Sequence, residues 1–154
     1  MSDRSPLTLD IHDALPDVYA RAVAEVFANH TGNDTDAKTI VEITQPGATW
    51  LSADDMRLGT AEDIATDLMA LMSGDADEDR APLQFGFTVW QDPKYEYPGT
   101  LHRYFPGGSL FTADCDADGN VAVTADQVRK AIATTDDRNH LITALSGLYG
   151  EPLH

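Results

Sequence analysis

The stretch LQFGFTVWQ, residues 83–91, decides the fold because its apolar side chains recur at every second position. In an extended chain Phe85, Phe87 and Val89 lie on one face, and Trp90 lies on the opposite face. A period of two is the pattern of a β-strand with one buried face. The stretch therefore predicts a strand at the start of a sheet.

Three more short strands are predicted downstream of this strand. They are TLHRYF (100–105), SLFTADCD (109–116) and NVAVT (120–124), and the turn residues PGG and Asp118-Gly119 separate them. Sequential short strands joined by tight turns pair most simply with their neighbours in sequence. The region predicts an antiparallel β-meander.

Four helices are predicted around this meander. Apolar residues recur at helical spacing in residues 15–32, and Gly32 suits the left-handed position after a helix. A second helix begins near Thr60, and a third begins at Thr124, where Gln127 completes a capping box. The fourth covers residues 136–150, with an inward stripe made of Leu141, Leu145, Leu148 and Tyr149.

A small hairpin is predicted between the first two helices. TIVEIT (39–44) is rich in β-branched residues, which favour strands. A turn at 45–47 leads to ATWLS (48–52), which is the expected partner strand. The whole chain, 1–154, is therefore predicted to be a single α+β domain, mainly an antiparallel β-meander packed against about four α-helices. The acidic segment 74–82 is expected to be a mobile surface loop.

The net charge of −16 restricts the possible partners. A surface this acidic repels nucleic acid and anionic membranes, and it favours a protein partner with a basic surface or a divalent cation. The same charge is also explained if it serves only solubility. The N-terminal residues contain no long apolar run, so neither a signal peptide nor a membrane span is expected, and we predict a cytoplasmic protein.

The segment DCDADGN, residues 114–120, has two interpretations. Asp114, Asp116, Asp118 and Gly119 match the first half of a calcium loop, but the bidentate glutamate that should end such a loop is missing. A type I turn with Gly119 in the left-handed position explains the same residues as a β-hairpin. We favour the hairpin and keep Asp114, Asp116 and Asp118 as weak metal candidates.

No catalytic or cofactor motif is evident, and no cofactor is predicted. The five histidines show no zinc-like spacing. Cys115 is alone, so it forms no disulfide within the chain, and we expect a small buried side chain. An alternative is a small enzyme or ligand-binding domain whose pocket lies near His102, Tyr104 and Asp114.

Aromatic residues gather around two basic residues in the segment 90–105. Aromatic side chains beside arginine are typical of protein–protein interfaces, although they could also fill a second small core. Together with the acidic loop, they form the predicted partner-binding set: Trp90, Lys94, Tyr95, Tyr97, Arg103, Asp75, Asp77, Glu78 and Asp79.

The functional hypothesis is a small, acidic, non-enzymatic binding protein. In its most specific form it is a phage or mobile-element accessory inhibitor that mimics the charge of nucleic acid. The alternatives are the His102 pocket and a calcium protein of low affinity.

Overall fold

The protein is described by a computed structural model over residues 4–73, 82–94 and 97–150. Its strands are β1 (Arg4–Ile11), β2 (Thr49–Arg57), β3 (Phe87–Gln91), β4 (Gly99–Tyr104) and β5 (Phe111–Cys115). Its helices are α1 (Asp17–Thr31), α2 (Ala37–Ile43), α3 (Thr60–Ser73), α4 (Ala125–Ala133) and α5 (Arg138–Leu148). The predicted acidic loop lies outside the described residues, apart from Pro82.

The five strands form one antiparallel sheet in the order β2-β1-β3-β4-β5. The predicted meander is confirmed for β3, β4 and β5. Residues 120–124 were expected to be a strand, but in the structure they contribute only a bridge between Cys115 and Val121. The interior strand β1 is absent from the predicted elements, although Leu7, Leu9 and Ile11 alternate in the way that a strand requires.

Helices α1 and α3 pack on one face of this sheet, which we call the helix face. Alternation along β1 and β3 places their apolar side chains on this side. The resulting core is fully buried at its centre, and its members include Leu7, Leu9, Val23, Ile64, Leu68, Phe87 and Val89. This core accounts for the α+β class that the sequence predicts.

The predicted strand at 39–44 is wrong, because residues 39–43 belong to α2 and Thr44 is its C-cap. The side chain of Asp36 accepts a hydrogen bond from Thr39 N at 2.7 Å and so caps the helix. Ile43 is 1% exposed and packs in the core, which offsets the strand preference of the β-branched residues. The predicted hairpin is therefore also wrong: β2 pairs with β1, and α2 is a fifth helix.

The second face of the sheet, which we call the outer face, carries a smaller core. Trp90, Leu101 and Cys115 are buried there, and Phe111 and Val121 pack against them. The capping box of α4 is confirmed, since Thr124 and Gln127 exchange the two expected hydrogen bonds. Helix α5 has no buried residue, and Tyr149, which was expected to point inward, is 43% exposed.

Candidate functional site

The segment 116–120 is a β-hairpin turn, as predicted. Gly119 has φ 78°, Gly119 N donates to Asp116 O, and Asp116 N donates to Asn120 O at 3.0 Å. One carboxylate oxygen of Asp116 accepts from the backbone N–H groups of Asp118 and Asn120, both at 2.9 Å. The hydrogen bonds from Asn120, and to a smaller extent from Asp118, lower the pKa of Asp116.

This hydrogen bonding bears on whether the carboxylates of Asp114, Asp116 and Asp118 could bind a metal ion together. The Asp116 carboxylate is engaged by its own loop, and Asp114 and Asp118 are exposed beside it. Over residues 4–73, 82–94 and 97–150, no group of three His, Cys, Asp or Glu side chains is placed to hold a metal ion. Of the three aspartates that resemble a calcium loop, Asp116 uses its carboxylate in the turn, and Asp114 belongs to β5.

The hairpin turn lies directly over Trp90. A Cβ atom added to Gly119 would lie 2.7 Å from Cε2 of the Trp90 indole. Trp90 is only 9% exposed, so the structure places it in the outer-face core and not on the surface. The expectation that Trp90 lies exposed on a partner-binding surface is therefore wrong. Its burial agrees with the alternative in which the aromatic residues fill a second small core.

Arg103 also has a different setting from the one expected. Its Nε donates to Thr88 Oγ1 at 3.2 Å, and its Nη1 donates to the Tyr149 carbonyl at 2.8 Å. His12 Nε2 lies 2.8 Å from the same Thr88 hydroxyl. Arg103 therefore connects the sheet to the end of α5, and it is half-buried.

Of the other predicted partner-binding residues, the structure describes Lys94 and Tyr97. Tyr97 is 56% exposed, whereas Lys94 is half-buried and pairs with Tyr97 through backbone hydrogen bonds. Tyr95, Asp75, Asp77, Glu78 and Asp79 lie outside the described residues. Their role in binding stays a prediction.

Trp50 is the large aromatic side chain that the sequence reasoning missed. It stands on the outer face of β2, is 68% exposed and meets Trp90 edge-on, with ring centroids 6.4 Å apart and an interplanar angle of 84°. It lies opposite Asp10 on the neighbouring strand β1. The signal was available, since Trp50 alternates with the buried Leu51.

Two shallow hollows flank Trp50. One of about 200 Å³ borders Asp34, Asp36 and Ser52, and the other, of about 300 Å³, borders Glu42. We call the set Trp50, Asp34, Asp36, Glu42 and Ser52 the Trp50 surface. Its side chains are exposed, so an aromatic ring is surrounded by three carboxylates.

Asp10, which lies opposite Trp50 in the register of β1 and β2, is half-buried. Burial raises the pKa of its carboxyl group, while His12, the Trp50 side chain and Arg103 act in the opposite direction. Its Oδ1 is buried with no hydrogen-bond partner among the described residues. Burial likewise lowers the pKa of His12. Asp10 and His12 are thus two half-buried ionisable groups that interact electrostatically.

His102 lines a cavity of about 270 Å³ between α3 and the strands β4 and β5. It is 5% exposed, its Nδ1 lies 3.0 Å from Thr112 Oγ1, and burial lowers its pKa. Tyr104 is buried in the main core and Asp114 is exposed, so neither joins His102 in the cavity wall. The cavity is instead completed by Glu62, Thr66, Thr100, Leu110 and Gly59.

Cys115 is the small buried side chain that the sequence predicts, at 3% exposure. Burial, together with the nearby Asp116, Asp92 and Asp114, raises its pKa to about 12. A protonated buried thiol is a poor nucleophile. Cys115 is therefore a packing residue.

The five-stranded antiparallel sheet with its helices defines a small single-domain α+β protein. Within the described part of the chain, no helix is both long and apolar enough to span a membrane.

The chain belongs to the family described as "Protein of unknown function (DUF3145)", whose model matches residues 57–154. Neither a curated protein nor a solved structure matches the chain. The matched region contains the whole lining of the His102 cavity, whereas the Trp50 surface precedes it.

Proposed function

We propose that this protein is a small, non-enzymatic binding protein that docks on a basic surface of a partner protein through the Trp50 surface. The observation that carries the proposal is the 68% exposure of Trp50, together with its edge-on contact with Trp90. A tryptophan side chain offers a large, rigid contact area with few rotatable bonds, so it loses little conformational entropy when a partner covers it.

The chemistry around Trp50 favours a cationic partner. Asp34, Asp36 and Glu42 are exposed around the indole, and the whole chain carries a net charge of −16. An arginine or lysine of the partner would meet both the carboxylates and the aromatic face, which attracts cations. Arginine and tryptophan are also the residues that most often dominate binding energy at interfaces.

The acidity supports a more specific form of the proposal. A basic groove that binds nucleic acid is attracted by the same negative field that repels DNA and RNA from this chain. We propose that the partner surface is such a groove, occupied in the cytoplasm by this protein acting as a charge mimic, as an accessory inhibitor from a phage or mobile element would act.

Affinity capture from cells of the native host, with matched baits, tests the proposal. The baits are the unmodified protein, Trp50→Ala, and the control Tyr149→Ala, which removes an exposed aromatic ring at the end of α5. Mass spectrometry should identify a protein that the unmodified protein and Tyr149→Ala retain and that Trp50→Ala loses. The captured protein should have a basic surface, and added DNA should compete with its binding.

A partner retained equally by Trp50→Ala would contradict the use of the Trp50 surface. A partner that is lost with Trp50→Ala, but that binds DNA and this protein at the same time, would contradict charge mimicry. It would leave docking through the Trp50 surface intact. Circular dichroism of each bait establishes that the variants are folded.

A further inference from the structure

Two hollows meet between the start of α3 and β4. One, of about 230 Å³, is mainly apolar and is bordered by Leu58, Tyr97 and Pro98. The other is the His102 cavity of about 270 Å³. Gly59 and Thr100 line both hollows, so the two are halves of one depression, which we call the α3–β4 groove.

The polar half of the groove contains unused hydrogen-bond capacity. Nε2 of His102 is buried and has no hydrogen-bond partner among the described residues. In the tautomer whose Nδ1–H donates to Thr112, Nε2 is a hydrogen-bond acceptor. Leaving such a buried atom without a partner is unfavourable, so a donor brought by a ligand is favoured at this wall.

The charges of the groove have one sign. Glu62 lies in the polar half and Asp92 in the apolar half, while no lysine or arginine is among the described residues that line either half. Burial and the nearby Asp118 raise the pKa of Asp92, which favours its uncharged form, so Glu62 in the polar half is the stronger site for a cation. The groove is therefore complementary to a cation.

The apolar half determines the rest of the ligand. Tyr97 is 56% exposed and offers an aromatic face, and Leu58 and Pro98 add aliphatic surface. Each hollow lies just below the lower end, about 300 Å³, of the range typical of ligand pockets, so the ligand is small. A short hydrocarbon chain that ends in an ammonium group satisfies both halves.

We propose that the α3–β4 groove binds a small alkylamine, with its ammonium group beside Glu62 and His102 and its hydrocarbon chain against Leu58, Tyr97 and Pro98. This site is separate from the Trp50 surface, and it stands or fails independently of the proposed docking function.

NMR titration of the full chain at pH 7 tests the proposal, with butylamine as the probe and butyrate as the anionic control. Butylamine carries its positive charge at this pH, as lysine does. It should shift the amide signals of Thr100, His102 and Thr112 saturably, while butyrate should not. Hexylamine should bind more tightly than butylamine, because its longer chain buries more apolar surface.

Two isoelectronic variants separate the groove from general acidity. Glu62→Gln removes a carboxylate that lines the groove, and Asp63→Asn removes the neighbouring exposed carboxylate in the same first turn of α3, which does not line it. Glu62→Gln should weaken butylamine binding about tenfold, while Asp63→Asn should leave it nearly unchanged. Tyr97→Ala should reduce the preference for hexylamine.

Three results would overturn the proposal. The first is the absence of saturable shifts with either amine, the second is equal binding of butyrate and butylamine, and the third is an equal loss of affinity in Glu62→Gln and Asp63→Asn. The third result would mean that the amine is attracted by net charge alone. None of these outcomes bears on binding at Trp50, which capture experiments test separately.

Discussion

Gly119 satisfies two requirements at one position: a left-handed backbone and close contact with an indole ring. Gly107 meets only the first requirement and serves as a control. Its φ is also positive, at 88°, but a Cβ atom there would meet nothing within 4 Å. Gly107→Ala should cost about 1–2 kcal/mol of unfolding free energy from the backbone alone. Gly119→Ala should cost about 1–3 kcal/mol more, because its Cβ displaces Trp90.

Urea unfolding followed by circular dichroism measures both costs. The tryptophan fluorescence, to which Trp50 and Trp90 both contribute, should also change in Gly119→Ala and not in Gly107→Ala. If the two variants lose the same stability, the hairpin turn does not pack on Trp90, and the outer-face core is wrongly assigned.

Cys115 makes stability sensitive to alkaline pH. Burial raises its pKa from 9.0 to about 12, so above pH 9 the unfolded chain loses the thiol proton while the folded chain keeps it. The unfolding free energy should then fall as the pH rises from 9 towards 12, by up to about 1.4 kcal/mol per pH unit. Below pH 9 the thiol is protonated in both states and contributes no slope.

The Cys115→Ala variant is the control for this pH dependence. Urea unfolding at pH 8 and at pH 10 should show a smaller loss of stability in the variant than in the unmodified protein. An aromatic disulfide reagent should also react with Cys115 only after unfolding. Rapid reaction of the folded protein would show that the thiol is accessible and ionised.

At the scale of the elements, α2 depends on its N-cap. Asp36→Ala should destabilise the protein by about 1 kcal/mol, because the Thr39 N–H loses its acceptor. Asp34→Ala removes an equally exposed carboxylate two residues earlier and should cost less than about 0.5 kcal/mol. Chemical denaturation compares the two, and equal stabilities would argue against a capped helix at residues 37–43.

Strand β3 is the centre of the helix-face core, and Phe87 is its largest fully buried side chain. Phe87→Ala should cost about 3–5 kcal/mol through lost contacts and the cavity that remains. Tyr97→Ala, at an exposed position beyond the end of the strand, should change stability by about 0.5 kcal/mol or less. Thermal and urea unfolding measure both, and a small effect at Phe87 would mean that the inward face of β3 is misassigned.

The elements that are readable from the sequence are those with a local signal. Alternation in residues 83–91 and the Thr124–Gln127 capping box describe β3 and the start of α4 directly. The strand prediction for residues 39–44 is wrong because it rests on their β-branched composition. The helix is instead stabilised by the Asp36 cap and by the burial of Ile43. Strand β1 carried the right alternation, but it pairs with β3 some eighty residues later, and a local pattern does not specify that pairing.

The candidate sites depended even more on long-range contacts. Period-two alternation places Trp90 opposite Phe87, but it does not say that the turn at Gly119 covers it. The same alternation puts His102 and Tyr104 on one face, yet Tyr104 is buried in the main core, and the cavity wall comes from α3. Trp50 is exposed because β2 is an edge strand, so no further strand covers its side.

At the scale of the whole molecule, the charge of −16 is expected to act on association rates. Changing Asp75, Asp77, Glu78 and Asp79 to their amides should slow binding to a basic partner and weaken its salt dependence, because electrostatic steering acts mainly on the on-rate. Stopped-flow kinetics at two salt concentrations measure this. An unchanged on-rate would remove these four residues from the mechanism and leave their charge a matter of solubility.

The dissociation rate of the captured partner tests the central claim most directly. Surface-immobilised unmodified protein, Trp50→Ala and Tyr149→Ala are compared with the same partner at one salt concentration. The account predicts that Trp50→Ala releases the partner at least about tenfold faster, a loss of 1.4 kcal/mol or more, while Tyr149→Ala dissociates at the unmodified rate. Equal dissociation rates for all three would show that the partner does not dock on Trp50, and would contradict the account.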